Sequence, residues 1–259
     1  MQSFLFTIIT VCKNDLENLK KTYQSICVQT FPEFEWIVLD GYSTDGTLNF
    51  LKGLKQPNFY WKSEEDKGLY DAMNKGLSMA TGNYIVFLNA GDSFASMEIL
   101  KRVAEKIKEF PNCDIFYGDA LVQFPNGDEF LERSRGPHYF QYGLPIYHQA
   151  FFYKRHAINN IRFRNEGYQI AADYAFTAEL VAKKCAIFQV NFPICRFPLG
   201  GVSSKRKGLL LQEVWKVQRD ILKVSFMVRG ISYVIHLIAM LTKEFSPVLF
   251  KGLHSLKAK

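Results

Sequence analysis

The first 125 residues alternate between short apolar runs and amphipathic stripes. Residues 4–11 are near-continuously apolar and of strand length. Asp15 then precedes a stripe at Leu16, Leu19, Tyr23 and Ile26, which predicts a helix over 15–28. Residues 34–39 predict a second strand, and the turn DGYSTDGT leads into a helix ending near residue 54. A short strand at 58–61 precedes a helix over 70–80 with Tyr70, Met73, Leu77 and Ala80 on one face, closed by Gly82. A strand at 84–88, a helix over 97–109 and a strand at 114–122 complete the series. Apolar strands separated by amphipathic helices predict an open, mostly parallel α/β sheet covered on both faces. Such sheets hold ligands beyond the carboxyl ends of their strands.

The pattern changes after residue 125. Residues 125–205 are rich in Phe, Tyr, His, Gly and Pro, with one clear helix over 170–182 and a strand at 186–192. They read as substrate-binding elaboration of the same domain. Beyond Lys205, Arg206 and Lys207, the positions Leu210, Val214, Val217, Ile221, Val224 and Val228 step by three or four, predicting one amphipathic helix over 209–228.

Composition sharpens this picture in two ways. A hydrophobic fraction of 48% over 259 residues supports a full core. The net charge of +7 suggests a nucleic-acid or membrane partner, but it is unevenly placed. Residues 1–200 hold 21 basic and 22 acidic side chains, leaving 11 and 3 for residues 201–259. A body without positive balance excludes nucleic acid as the partner of the main domain. Five cysteines at wide spacings, with no CxxC pair, indicate neither a disulfide framework nor a zinc site. With no basic n-region at the N-terminus and no run of 18 apolar residues, a cytoplasmic protein is expected.

Three acidic clusters follow three predicted strands: Asp40 with Asp45, then Glu64, Glu65 and Asp66, then Asp92 in NAGD. Parallel neighbours would bring all three to one edge, where cations or hydrogen-bond donors must compensate them. Carboxylates there suit ribose hydroxyls, a base N–H, or Mg²⁺ or Mn²⁺ against a phosphate. Simpler roles compete: Asp45 as a helix cap, Asp66 as a turn residue, and Asp71 with Lys75 as an i,i+4 pair. No GxGxxG and no GxxxxGK[ST] occurs, which argues against a dinucleotide fold and a P-loop.

The segments TIITVCKN, IVLDGYSTDGT, EEDKGLYDAMNKGLSMATGNYIVFLNAGD, HQAFFYKR and IAADYAF, in this order over about residues 4–180, resemble the family 2 glycosyltransferases and their GT-A nucleotide-sugar-binding fold. The resemblance implies a GT-A catalytic domain over 1–205, with a nucleotide-binding half at 1–125 and an acceptor-side half at 126–205, followed by a helical tail at 206–259. It implies that Asp40 contacts the nucleoside, that Asp66 holds the base, and that the backbone at Thr10 and Val11 lines the base pocket. Asn89 to Asp92 take the place of the family's metal motif, with Asp92 as the only carboxylate in NAGD. Asp173 matches the catalytic base of inverting members, and His148 with Gln149 matches a segment lining the acceptor side.

The expected reaction moves a sugar from a nucleoside-diphosphate sugar to a hydroxyl of a glycan or lipid-linked acceptor, with inversion. Asp92 with Mg²⁺ or Mn²⁺ would stabilise the departing diphosphate, helped by Lys205 or Arg206 as a lid. Asp173 would take the hydroxyl proton, and His148 would orient a substrate group or simply pack. The rival readings are a relative that binds nucleotide-sugar without transfer and, from fold alone, a nucleotidyltransferase. CKNDLEN after the first strand lacks the glycine-rich loop of the latter. For the tail, residues 225–259 are expected to meet an anionic membrane near Phe226, Tyr233 and Phe245, or to mediate a homodimer.

Overall fold

The structure, a computed structural model, describes residues 4–124, 126–164, 166–198 and 206–245. The chain runs β1 (Phe6–Cys12), α1 (Leu16–Cys27), β2 (Phe34–Asp40), α2 (Thr47–Gly53), β3 (Phe59–Ser63), α3 (Leu69–Met79), β4 (Tyr84–Phe87), β5 (Ser93–Phe94) and α4 (Ile99–Glu109). It continues through β6 (Ile115–Gln123), β7 (Glu129–Glu132), β8 (Phe151–Lys154), α5 (Ala172–Ala182), β9 (Ile187–Pro198), α6 (Lys207–Asp220) and α7 (Phe226–Phe245). Short 3₁₀ turns at Pro137–Gln141 and His148–Ala150 punctuate the middle.

Among the described residues the strands form one nine-stranded sheet in the order β3-β2-β1-β4-β8-β6-β9-β5, with β7 paired to β6. The α/β class and its helices agree with the pattern of the sequence, but the sheet is mixed. The pairs β1–β2, β2–β3, β1–β4 and β6–β9 are parallel, whereas β8 runs antiparallel to both β4 and β6. An antiparallel β8 must begin at the carboxyl edge of β4. The chain therefore delivers the segment before β8 to the edge where the acids gather.

The core has two aromatic centres. Under α1, Trp36 stacks on Tyr23 with centroids 5.6 Å apart, and its indole Nε1 donates to Thr10 Oγ1 at 2.9 Å. On the α5 side, Phe163 and Phe176 stack at 4.3 Å, and buried Tyr153 bonds Thr177 at 2.8 Å. Buried Gly76 lets α3 press on β1 and β2: a Cβ there would meet Ile9 Cγ2 at 2.6 Å. A methyl group there would force Ile9 or the helix to shift.

The expected single helix over 209–228 is two helices. After α6 the amides of Leu222 and Val224 turn back to Val217 O and Gln218 O, and Lys223 adopts φ 55°. Leu211, Val214 and Val217 pack inward from α6, while Ile221 and Val224 belong to the turn. The apolar period survives the break because the turn residues still face the domain.

Candidate active site

The parallel strands β3, β2, β1 and β4 end side by side at Ser63, Asp40, Cys12 and Phe87. Asp40 is 2% exposed and its Oδ2 accepts from Ser63 Oγ at 2.6 Å and Ser43 N at 3.1 Å. Cys12 Sγ donates to its Oδ1, and burial with the adjacent Asp40 charge pushes that thiol far above its ordinary range. Asp40 thus spends its lone pairs on the fold's own donors and fixes the turn that follows β2. Asp66 is half-buried; its Oδ1 accepts from Gly68 N at 2.9 Å. Its Oδ2 lies so close over Gly41 that a Cβ there would sit 2.5 Å away. Lys75 pins this loop by donating to Glu65 O at 2.6 Å while pairing with Asp71 and Glu64. Thr10 is buried with its hydroxyl on Trp36, and Val11 O accepts Ala90 N at 3.1 Å, which extends the β1–β4 ladder into the next loop. Asp45 caps helices, accepting from Leu16 N at 2.9 Å and Thr47 Oγ1 at 2.6 Å.

The loop after β4 carries Asn89 to Asp92. Thr22 of α1 anchors it, its hydroxyl donating to Asp92 O at 2.7 Å and accepting from Gly91 N at 3.0 Å. Asp92 Oδ2 accepts from Asn89 N at 3.1 Å and Gln149 Nε2 at 3.0 Å. Burial pushes its carboxyl up to about 6, opposed by nearby His148 and these two hydrogen bonds. Asn89 Oδ1 and Gln149 Oε1 are buried without a partner. Two orphaned amide oxygens beside a costly buried carboxylate form an oxygen-rich donor set that fits a hard divalent cation. Gln149, expected on the acceptor side, instead points to Asp92.

Asp173 stands in the first turn of α5, where its Oδ1 accepts from Tyr174 N at 2.7 Å. Its Oδ2 lies 3.3 Å from His148 Nδ1, and His148 Nε2 lies 3.4 Å from Asn89 Nδ2. The His148 ring thus stands between the Asp173 carboxylate and the Asn89 amide, and Asp173, His148, Asn89 and Asp92 form one row of polar contacts across the strand edge.

One residue in this region was not legible as functional. Glu213 on α6 is 5% exposed and accepts from Gln169 N at 2.7 Å, Ile170 N at 2.9 Å and Ala171 N at 2.8 Å. These are the amides that lead into α5, whose own N-cap has no side-chain bond. Tyr70 of α3 holds the same turn by donating to Ile170 O at 2.6 Å; burial pushes its phenol well up, with Asp173 and Glu213 adding to the effect. A lone acid within a basic stretch was the only signal in the sequence. Arg206, at the start of α6, donates to Gln169 Oε1 at 2.9 Å, and Lys205 lies outside the described residues.

Residues 7–176 match the sequence profile of glycosyl transferase family 2. The chain belongs to that family. This family 2 glycosyltransferase is 35% identical over 184 residues to a PGL/p-HBAD biosynthesis glycosyltransferase of Mycobacterium bovis, covering 68% of this chain and 69% of that protein. It is 23% identical over 232 residues to the putative teichuronic acid biosynthesis glycosyltransferase TuaG of Bacillus subtilis, covering 86% and 90%. Among solved structures it resembles S. aureus TarS 1-349 in complex with UDP-GlcNAc, with TM-score 0.64, 20% identity and coverage of 98% and 76%. The mannosyltransferase PcManGT of Pyrobaculum calidifontis, in complex with GDP-Man and Mn²⁺, gives TM-score 0.65 at 14% identity and coverage of 99% and 80%. The fold of this family 2 glycosyltransferase is GT-A, and the protein is a transferase. Glu213 and Arg206 lie beyond the matched residues.

Proposed function

We propose that the enzyme transfers a sugar from a nucleoside-diphosphate sugar to a hydroxyl of a glycan or lipid-linked acceptor, with inversion, at the cytoplasmic face of a membrane. The observation that supports this reading is the row from Asp92 to Asp173, whose two carboxylates suit one role towards the donor and another towards the acceptor. The names of the relatives and of the solved structures support the substrate classes: they include PGL/p-HBAD and teichuronic acid biosynthesis, and complexes with UDP-GlcNAc or GDP-Man.

In the proposed reaction the acceptor oxygen attacks the anomeric carbon as the bond to the diphosphate breaks. The hydroxyl proton passes to Asp173, whose side chain is 21% exposed and so open to substrate. A single displacement with no enzyme nucleophile inverts the anomeric centre. His148 keeps the Asp173 carboxylate aimed while Asn89 fixes the far ring nitrogen. On the donor side, Asp40 shapes the nucleoside pocket through the turn it holds, and Asp66 over Gly41 offers an acceptor for a base N–H. The backbone of Thr10 and Val11 forms the wall beneath. Asp92, with Asn89 Oδ1 and Gln149 Oε1, would hold Mg²⁺ or Mn²⁺, which supplies positive charge to the departing diphosphate. Arg206 is assigned as a cationic group for that leaving group, exchanging Gln169 for phosphate, and Lys205, outside the described residues, is assigned the same role from its place in the sequence. The catalytic unit comprises residues 1–205, to which α6 lends Glu213.

The test is nucleoside diphosphate release across a panel of nucleotide-sugars, with and without Mn²⁺, for wild type and Asp92→Asn. Release from one nucleotide class, lost in Asp92→Asn, is expected. Full release by Asp92→Asn would remove the donor-side assignment.

A further inference from the structure

Helix α7 has its polarity inside out. At about 100° per residue, Arg229, Ser232 and His236 share the side that faces the domain. Ser232 is 1% exposed; its hydroxyl donates to Tyr142 O at 2.9 Å and accepts from Gln218 Nε2 at 2.7 Å. His236 bonds Ser232 O and rests against Gly143, and the Arg229 guanidinium lies 4.7 Å from the Trp215 ring centroid. The opposite side presents Met227, Ile231, Val234, Ile235 and Ile238, exposed by 38% to 77%. An ordinary amphipathic helix buries such a face, and a contiguous exposed one marks an interaction surface. Gln218, which also donates to Gln141 O and Tyr142 O, and the edge contacts of Trp215 with Phe226 and Tyr233 fix the helix in this rotation.

We propose that this face of α7 lies on an anionic lipid surface, with its isoleucines at the headgroup boundary. Charge selects this occupant over a second copy of the chain. Helix α7 itself carries Arg229, turned towards Trp215, with Lys243 and Glu244, so the selecting charge is that of the 59-residue tail, with 11 basic and 3 acidic side chains. Two such tails pressed together would repel, whereas anionic headgroups attract them. Among the described residues no helix is long and apolar enough to cross a membrane, so α7 lies along the surface. The placement also serves the site. Tyr142 follows the Pro137–Gln141 turn, whose Phe140 O accepts Tyr174 OH at 2.5 Å, and Tyr174 adjoins Asp173. Helix α7 and α5 thus share the 137–142 turn as a common support, a link to the site that rests on the reading of Asp173 given above; the docking itself rests only on the helix.

Flotation of the full chain with phosphatidylcholine vesicles, and with mixed phosphatidylcholine–phosphatidylglycerol vesicles, tests the proposal. Wild type and Asp173→Asn are expected to float with the mixed vesicles and to release from them as salt rises. Ile231→Glu and Ile238→Glu should each lower partitioning about tenfold, with unchanged melting temperature and unchanged nucleoside diphosphate release in solution. Lys223→Gln with Lys243→Gln should lower it several-fold. Wild type that fails to float, floats equally with neutral vesicles, or forms dimers that Ile231→Glu dissociates would overturn the proposal. Flotation without diphosphate release would instead count against the proposed donor and mechanism alone.

Discussion

Replacing Glu213 with Gln tests whether a residue beyond the family's matched region governs the proposed base. In the wild type one carboxylate oxygen takes Gln169 N and the other takes Ile170 N and Ala171 N, all at 2.7 to 2.9 Å in a buried setting. The amide of Gln retains one oxygen, which can serve the paired amides, and turns an NH₂ towards the third. The charge is lost, and one buried N–H is left facing a donor. An unsatisfied buried donor costs about 1–3 kcal/mol, and hydrogen bonds to a charged acceptor are worth about 1.5–3 kcal/mol against about 1 for neutral ones. The expected loss is ~2–4 kcal/mol, which lowers the melting temperature by roughly 5–12 °C for a domain of this size. The same amides set the first turn of α5, so Asp173 should shift relative to His148. Misplacement of a reacting group by about 1 Å costs on the order of 100-fold in rate. The assay is a thermal melt beside steady-state kinetics on a donor that wild type turns over. A fall in kcat of about that size, larger than any rise in donor KM, is expected, because Asp40 and Asp66 do not touch this turn and only Arg206 reaches it, through Gln169. Glu213→Asp, which keeps the charge, should recover part of kcat. A lowered melting temperature with wild-type kcat would refute the reasoning and leave Glu213 as an anchor for α6 only.

The Asp92 carboxyl, pushed up to about 6, predicts a pH dependence of cation binding. A divalent cation displaces the Asp92 proton, so Mn²⁺ affinity measured by calorimetry should weaken by about tenfold per pH unit below 6 and level off above it. A flat profile between pH 5 and 7 would place the cation elsewhere. For the cation-free protein the sign is opposite. A carboxyl raised on folding binds more protons in the native state, so stability should fall as pH rises from about 4 to 6, by at most ~3 kcal/mol. Asp92→Asn should abolish that slope in urea titrations. Gly41→Ala forces a Cβ to within 2.5 Å of Asp66 Oδ2 and 3.0 Å of Lys13 Cδ. Donor KM should rise about tenfold or more with kcat little changed, and an unchanged KM would show that Asp66 does not meet the base.

The parallel half of the fold was legible because its strands are buried on both faces and its helices carry clean stripes. Every expected element from residue 4 to 122 has a counterpart, with ends displaced by a few residues. The acids at the strand ends followed from that order alone. The orientation of β8 was not legible: FFYK is short, and nothing in three buried aromatic positions and a lysine distinguishes up from down. That orientation is what brings His148 and Gln149 beside Asn89. The break between α6 and α7 contains neither Gly nor Pro and keeps the apolar period through Ile221 and Val224, so only tertiary hydrogen bonds reveal it. Glu213 reads in the sequence as one more solvated charge. Its role depends on three amides more than forty positions earlier, a pairing that no local pattern encodes.

The sharpest test of the reaction itself is the Asp173→Asn variant, measured for both nucleotide binding and turnover. Asn preserves the bond to Tyr174 N and the volume of the side chain but removes the basic carboxylate. Nucleoside diphosphate affinity should match wild type, while kcat falls by about 10²–10⁴-fold, the range a general base contributes. Turnover within a few-fold of wild type, with the fold intact by thermal melt, would contradict Asp173 as the base and the transfer mechanism built on it.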